Sequence, residues 1–184
     1  MPLPEFCKTA VFESSRLKYR GIDQNDSENL VRWRSSEDVY KYSKNPNPIS
    51  MKEHENWYAK YCARPHEYRA IITHNETNAN IGTVGGVFEG DTCELSYYIG
   101  EQEYRGQGLA GEAIDAMMRY VLSMSGIRKF RAFIHRDNTA SAACVTKLGF
   151  KCKRAEGVLN VYELVLNEQQ LSKSEAINEH IGKN

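Results

Sequence analysis

The chain has 184 residues, which is long enough for one domain with its own hydrophobic core. It carries 24 basic and 24 acidic side chains, so its formal net charge is zero, whereas a nucleic-acid-binding protein usually has a basic excess. No apolar run approaches the roughly 18 residues of a membrane-spanning helix. Length and charge therefore favour one globular domain that binds neither nucleic acid nor membrane.

Targeting and metal-binding signals are missing from the sequence. The N-terminal segment has no basic region followed by an apolar core, which is the pattern of a secretory signal. The five cysteines are scattered and form no C-x-x-C pair, and the five histidines have no ligand spacing. We therefore expect a cytoplasmic protein with reduced thiols and no bound metal.

The first third of the chain predicts one strand and two helices. Residues 16–22 alternate as a strand does, and residues 26–34 follow as a short amphipathic helix. A loop is predicted at Asn45–Pro48, because each proline disfavours helix at the residue before it. Ser50 and Glu53 then have the spacing of a capping box, which predicts the start of a second helix.

The rest of the chain predicts strands on both sides of one long helix. Three strands are expected before this helix and three after it, at residues 68–73, 81–88, 93–99, 130–135, 150–154 and 158–166. Leu109, Ala113 and Met117 recur at the spacing of one buried helix face. Gly126 is a natural glycine just beyond the end of this helix.

A last short helix is predicted after the strand at 130–135, capped by Asn138 or Thr139. The element order β-α-α-β-β-β-α-β-α-β-β predicts an α/β (α+β mixed) fold. Its mixed, mostly antiparallel sheet has six to seven strands and about four flanking helices. We expect an N-terminal leader without strong structure at 1–14, one domain at 15–166 and a polar C-terminal tail at 167–184.

A glycine-rich segment joins the strand at 93–99 to the long helix. Gly106, Gly108 and Gly111 lie within it, and glycine lets the main chain approach an anion with no Cβ in the way. The free amides of a first helical turn and the helix dipole both favour negative charge. The segment therefore predicts a phosphate-binding site.

The same glycines satisfy G-x-G-x-x-G, the dinucleotide-binding pattern, but their context does not. That pattern directly follows a strand and has an acidic residue about 20 positions later for the ribose. Here residues 101–105 separate the strand from the glycines, and residues 130–135 contain no carboxylate. The context disfavours a dinucleotide enzyme, and a purely structural turn is the other alternative.

Two motifs carry a resemblance to a known family. Arg105-x-x-Gly108-x-Ala110 resembles the Q/R-x-x-G-x-G/A acyl-CoA loop of the GNAT superfamily of N-acyltransferases. Asn138-x-x-Ser141, with Lys-Leu-Gly-Phe at 147–150, is similar to the second motif of that family. With the element order, the resemblance extends over almost the whole predicted domain. It implies an acetyl-CoA-dependent N-acetyltransferase in which a primary amine attacks directly in a ternary complex.

The resemblance also implies where coenzyme A lies. Its diphosphate would rest on main-chain amides of the glycine-rich segment, and its pantetheine arm would pair with the end of the preceding strand. Asn138 would hydrogen-bond that arm, cap its helix, or do both. The cofactor-binding residues expected on this basis are Tyr98, Ile99, Arg105, Gly106, Gln107, Gly108, Leu109, Ala110 and Asn138.

Two catalytic residues are expected. Glu94 is the candidate base, on a strand face that it shares with Ser96 and Tyr98; a salt-bridged or solvent-facing carboxylate is the alternative. Many members of the family have a tyrosine acid where this chain has Val145. Ser141 matches the N-x-x-S motif of the ribosomal-protein acetyltransferases, in which a serine serves as the acid. Its alternative role is that of an ordinary serine in the first helical turn.

The acceptor is expected to be bound by the first two helices. Trp33, Arg34, His54 and Trp57 resemble a W-R … I-S-x-x-E-H-x-x-W pattern of acetyltransferases that modify nucleotide-linked amino sugars, although both tryptophans also suit a core. A peptide N-terminus is the alternative acceptor. Val145 leaves open a non-catalytic acyl-CoA-binding module, and the sequence is compatible with a homodimer.

Overall fold

A computed structural model of the protein describes residues 3–167. Its eight strands are Val11–Glu13 (β1), Leu17–Gly21 (β2), Glu67–His74 (β3), Asn80–Glu89 (β4), Thr92–Ile99 (β5), Lys129–His135 (β6), Lys151–Glu156 (β7) and Leu159–Val165 (β8). They form one sheet in the order β1-β2-β3-β4-β5-β6-β8-β7. Only β5 and β6 are parallel among these described strands. The predicted mixed α/β fold is confirmed.

The helices are Ser27–Arg34 (α1), Glu37–Tyr40 (α2), Met51–Cys62 (α3), Leu109–Ser125 (α4) and Thr139–Lys147 (α5). Short 3-10 turns precede α1 at Gln24–Asp26 and α4 at Gln102–Tyr104. The capping box predicted from Ser50 and Glu53 begins α3, and Gly126 ends α4 with a left-handed φ of 71°. Among residues 3–167, none of these helices has both the length and the apolar composition needed to cross a membrane.

Helices cover both faces of the sheet. The apolar side of α4, with Ala113 and Met117, packs on one face in the larger core. Leu30 and Trp33 of α1 and Tyr61 of α3 pack on the other face in a second core. Both cores consist of residues at the helical or strand spacing of a buried face, which is why the sequence predicts these elements correctly.

The sheet opens between its two parallel strands. β5 pairs with β6 only from Thr92 to Leu95, where Leu95 lies opposite Ala132. Beyond this point β5 continues to Ile99 and β6 to His135 without pairing with each other, while β5 still pairs with β4 and β6 with β8. The diverging strand ends form a cleft, and the chain enters α4 from the end of β5 at the same edge.

Three expectations need correction or a limit. The segment expected to be a leader contains β1, which pairs with β2, and buried Phe6, whose ring stacks on Phe88 at 4.3 Å, so the prediction of no strong structure there is wrong. A three-residue strand is too short to show alternation, and it makes the sheet eight-stranded. α2, with four residues, is too short to show a helical period. Apart from Asn167, the predicted polar tail lies outside the described residues.

Candidate active site

The cleft between the diverging ends of β5 and β6 is lined from both faces of the sheet. α1, α3 and residues 38–49 contribute on one side, and α5 and the start of α4 contribute on the other. The cleft is bordered by Glu94 and Ser141, which the sequence suggests for acid–base chemistry, and by Gly108 of the predicted phosphate-binding segment. The cleft is therefore the candidate active site.

Arg105 holds the loop that enters α4 against the end of β5. Its Nε donates to the carbonyl of Ile99 at 3.0 Å, and its Nη2 donates to the carbonyl of Gly100 at 3.1 Å. Its Nη1 donates to Asp38 Oδ2 at 3.1 Å. The amide of Arg105 already donates to the carbonyl of Gln102. The side chain thus fixes the loop, and free amides begin one residue later than predicted.

The amides of residues 106–111 find no acceptor among the described residues, and no side chain caps the start of α4. Gly106 and Gly108 have φ of 74° and 77°, a left-handed conformation that favours glycine. A Cβ on Gly106 would meet nothing within 4 Å. The glycines therefore shape an open row of donors at the positive end of a helix dipole, which is suited to an anion.

The other members of the predicted loop have mixed roles. The Gln107 side chain donates to the carbonyl of Glu103 at 2.7 Å. The main-chain carbonyl of Gln107 accepts from Arg16 Nη1 at 3.0 Å. The Leu109 side chain is buried in the larger core, whereas Ala110 is half-buried and lines the cleft. Gln107 is exposed, whereas Leu109 can face a ligand only through its main chain.

The face of β5 toward α1 and α3 carries Glu94, Ser96 and Tyr98, as the predicted alternation required. Arg69 Nη2 donates to Ser96 Oγ at 3.1 Å, and its guanidinium lies 5.8 Å from the Trp57 ring. Burial raises the pKa of the Tyr98 hydroxyl. This face of β5 thus places the Glu94 carboxylate near aromatic rings and the Arg69 guanidinium.

The Glu94 carboxylate faces the cleft and is ion-paired. Lys44 Nζ donates to Glu94 Oε1 at 2.9 Å, and the same ammonium lies 4.2 Å from the centroid of the Phe133 ring. The Glu94 side chain is 20% exposed and that of Lys44 is 61% exposed. A salt-bridged Glu94 and a cleft-facing Glu94 were alternatives in the sequence; the structure combines the two.

The opposite side of the cleft contains a hydroxyl pair. Tyr97 Oη lies 2.6 Å from Ser141 Oγ, and the Ser141 amide donates to Asn138 Oδ1 at 3.1 Å, so Asn138 caps α5. Val145, which stands where the family has a tyrosine, is fully buried. Burial raises the pKa of Tyr97 and of Cys144, so both groups remain protonated at neutral pH. Tyr97 thus places a phenol beside Ser141.

Two of the residues expected to bind the acceptor are buried. Trp33 is 1% exposed, does not line the cleft and donates its indole N–H to Glu101 at 2.8 Å. A Cβ on Gly100 would lie 2.2 Å from its ring, so this tryptophan packs flat on the loop backbone. His54 is 3% exposed and its Nε2 lies 3.2 Å from Ser27 Oγ. Burial lowers the pKa of His54, which keeps the ring neutral.

The cleft lining includes His54 and also the other two residues, Trp57 and Arg34. Trp57 is half-buried beside His54. Arg34 is also half-buried, and its guanidinium donates to the carbonyls of Asn45 and Asn47 at 2.5 and 3.2 Å. Arg34 thereby positions the loop that carries Lys44. The structure brings Trp57 and Arg34 to the same side of the cleft as Glu94.

The family model for the acetyltransferase (GNAT) domain matches residues 16–151, which is most of the chain. The chain belongs to the GNAT acetyltransferase family. One GNAT relative is the uncharacterised N-acetyltransferase YoaA of Bacillus subtilis (strain 168), which is 29% identical over 83% of this chain and 87% of its own. Family membership and a relative of this name support an N-acetyltransferase.

Two solved structures show the same GNAT fold. RimL, a ribosomal L7/L12 α-N-protein acetyltransferase in complex with coenzyme A, has a TM-score of 0.74 and 18% identity, covering 85% of this chain and 98% of its own. Spermidine N-acetyltransferase from Vibrio cholerae, in complex with coenzyme A and spermine, has a TM-score of 0.72 and 17% identity over the same shares. At these identities the likeness extends to the fold alone.

The GNAT resemblance in the sequence did not find every residue that the cleft brings together. Tyr97 could have been found, because strand alternation places it opposite Glu94 and on the side of α4 and α5. Lys44 gives no sequence signal, since it meets Glu94 from 50 positions away in a loop. Within residues 3–167 no group of three or more His, Cys, Asp and Glu side chains is arranged to hold a metal ion.

Proposed function

We propose that the protein is an acetyl-CoA-dependent N-acetyltransferase in which a primary amine attacks the thioester directly in a ternary complex. The observation that carries this proposal is the row of free amides at residues 106–111, next to the end of β5, whose edge toward β6 is unpaired beyond Leu95. An anion and an extended chain would fit these two features together, because the first needs donors and the second needs a free strand edge. The residues present therefore fit coenzyme A.

Each part of this site has a role in holding the cosubstrate. Amides of residues 106–111 would hold the diphosphate, and the edge of β5 near Tyr98 and Ile99 would pair with the pantetheine arm. Asn138 uses Oδ1 for the cap, which leaves its Nδ2 for that arm. Acetyl-CoA supplies an acetyl group already activated as a thioester.

Proton transfer is assigned to the two sides of the cleft. A lysine-type amine has a pKa of about 10.4, so at neutral pH it must lose a proton before it can attack. Glu94 is the base that we propose for this step, directly or through one water. Ser141 is proposed to donate a proton to the departing thiolate, and Tyr97 Oη, 2.6 Å away, to replenish it. This pair weakens the case for a non-catalytic module.

As acceptor we propose the amino group of a nucleotide-linked amino sugar, with a protein N-terminus as the alternative. Trp57 and Arg34, beside Glu94, are suited to a ring and a phosphate respectively. The solved GNAT structures include enzymes for a protein N-terminus and for a polyamine, so the fold does not choose. We place the activity in the cytoplasm, since all five cysteines are unpaired, and leave a homodimer as a prediction.

The test is release of free thiol from acetyl-CoA against amino sugars, nucleotide-linked amino sugars, polyamines and N-terminal peptides. We expect release with one class and fastest release with the nucleotide-linked amino sugars. Binding of acetyl-CoA with no release over the whole panel would instead support a binding module. A melting assay distinguishes an acetyltransferase from a dinucleotide enzyme, because a ligand at about 100 times its Kd raises the free energy of unfolding by about 2.7 kcal/mol. CoA should give this stabilisation, and NAD should give none.

A further inference from the structure

Residues 35–49, here called the strap, cross the acceptor side of the cleft. At its start, Asp38 accepts from Arg105 of the loop that enters α4. In its middle, the Tyr42 ring lies 5.7 Å from the ring of His135 at the end of β6. At its end, Ser35 Oγ donates to the carbonyl of Ile49 at 3.0 Å and closes the strap on itself. The strap therefore joins both diverging strands.

The strap brings the ammonium group of Lys44 to the cleft. Lys44 Nζ lies 2.9 Å from Glu94 Oε1 and 4.2 Å from the centroid of Phe133. A carboxylate and the face of an aromatic ring are the two groups that proteins combine to hold an alkylammonium ion. Glu94 on β5 lies opposite Arg131 of β6, and Phe133 is two residues further along β6 on the same face, just where the sheet begins to open.

Glu94 is the carboxylate that the cleft leaves for a ligand. Two other carboxylates line the cleft among the described residues, and both have partners from the fold itself. Asp38 pairs with Arg105 and Lys41, and Glu53 caps α3 through Ser50. Glu94, by contrast, pairs with Lys44, a loop lysine whose side chain is mostly exposed and can return to water.

We propose that Glu94 and Phe133 form a subsite for the alkylammonium group of the acceptor, and that Lys44 of the same chain fills this subsite until an acceptor displaces it. The proposal rests on the proposed function for the identity of the ligand as an acceptor. The group recognised is a protonated primary amine, and its competitor, Lys44, belongs to the strap. Lys44 lowers the apparent affinity for every amine by the fraction of time that it occupies the subsite.

The test uses the full chain with Lys44→Met, which keeps an apolar stem and removes the charge. Lys52→Met is the matched control, because Lys52 is an exposed lysine on α3 away from the cleft lining. The probe is tetramethylammonium, which cannot be acetylated, titrated by calorimetry with and without CoA. We expect Lys44→Met to bind it about threefold to fivefold more tightly, the range of an exposed ion pair, and Lys52→Met to match the wild type.

Two further readings complete the test. Adding Glu94→Gln to Lys44→Met should abolish the binding of tetramethylammonium, and Lys44→Met alone should lower the KM for the best acceptor of the panel with kcat unchanged. Unchanged tetramethylammonium binding in Lys44→Met would overturn the proposal even if thiol release is seen. Tighter binding in Lys44→Met without thiol release from any amine would support the ammonium subsite and overturn the proposed function.

Discussion

The loop at residues 105–111 and the strap at residues 35–49 border the same cleft, yet they are built in different ways. The loop presents main-chain amides, and its glycines adopt left-handed conformations that side chains disfavour. The strap presents side chains, of which Lys44 reaches Glu94 and Asp38 reaches Arg105. The donors of the loop are set by its backbone, which the Arg105 side chain fixes, whereas the strap reaches the loop and β5 through ion pairs of exposed side chains.

This difference separates the two tasks of a transferase. A diphosphate is the same in every reaction cycle, so a rigid main-chain site serves it well. An acceptor must enter and leave, and a site made of exchangeable side-chain pairs permits that. We therefore expect substitutions in the loop to affect cofactor binding and substitutions on the acceptor side to affect turnover or the KM of the amine.

The largest effect is expected from Gly108→Val. Its φ of 77° strains any β-branched residue, and the new side chain would occupy the space in front of the free amides. Hydrogen bonds to a charged group contribute about 1.5–3 kcal/mol each, so losing two or more should remove measurable CoA binding by calorimetry. Gly90→Val, at φ 62° in a hairpin turn, is the control for strain and should bind CoA normally. Normal CoA binding by Gly108→Val would contradict the assignment of the loop.

Glu94→Gln changes the acceptor side of the cleft. Removing a positioned base typically lowers kcat by 10² to 10⁴, roughly, while the CoA site stays intact. The measurement is kcat for the best amine together with the Kd for CoA, and Glu156→Gln on the exposed strand β7 is the control. A loss of CoA affinity in Glu94→Gln equal to its loss of turnover would show that the two sides of the cleft are not separable.

A smaller effect is expected from Tyr97→Phe. Ser141 remains, so we expect kcat to fall by about fivefold, as when one hydrogen bond of about 1 kcal/mol is lost from a relay. Burial raises the pKa of Tyr97 above its ordinary value of about 10, so the hydroxyl keeps its proton up to that pH. The ratio of wild-type to variant kcat should therefore stay constant from neutral pH to about pH 10. A ratio that falls toward one in this interval would contradict the role of Tyr97, and Tyr162→Phe is the control.

The smallest effect is expected from Asp38→Asn, which removes the ion pair between Asp38 of the strap and Arg105 of the loop. Exposed ion pairs have small net effects, so the KM values for CoA and for the amine should each change by no more than about threefold. Steady-state kinetics with both substrates varied checks this. A much larger change in the KM for CoA would mean that the strap, and not the loop backbone alone, shapes the cofactor site.

The same contrast explains what could be predicted from the sequence. Long elements with a clear period, such as α4, and signals with a backbone cause, such as Gly126 at the end of α4 and the Ser50 capping box, were predicted correctly. β1 and α2 were missed because three or four residues cannot show a period. Such short elements depend on tertiary contacts; β1, for example, forms by pairing with β2 at the edge of the sheet.

Residues of the candidate site divide in the same way. Glu94 and Ser96 follow from strand alternation, and the Asn138 cap follows from its position before a helix. The pairing of Lys44 with Glu94 could not be predicted, since no local pattern relates a loop lysine to a strand 50 residues away. Trp33 looked like a ligand-binding aromatic, but only the packing of its ring on the loop backbone shows that it is buried.

The central claim is that amides at the start of α4 hold the diphosphate of coenzyme A, and the most direct measurement is an amide NMR titration of the ¹⁵N-labelled protein with CoA. The account predicts that the amide signals of Gly106, Gly108 and Gly111 shift downfield with one common Kd. The amides of Gly90 and Gly157, in turns away from the cleft lining, should not move. Saturable CoA binding that leaves the three loop glycines unshifted would contradict the account.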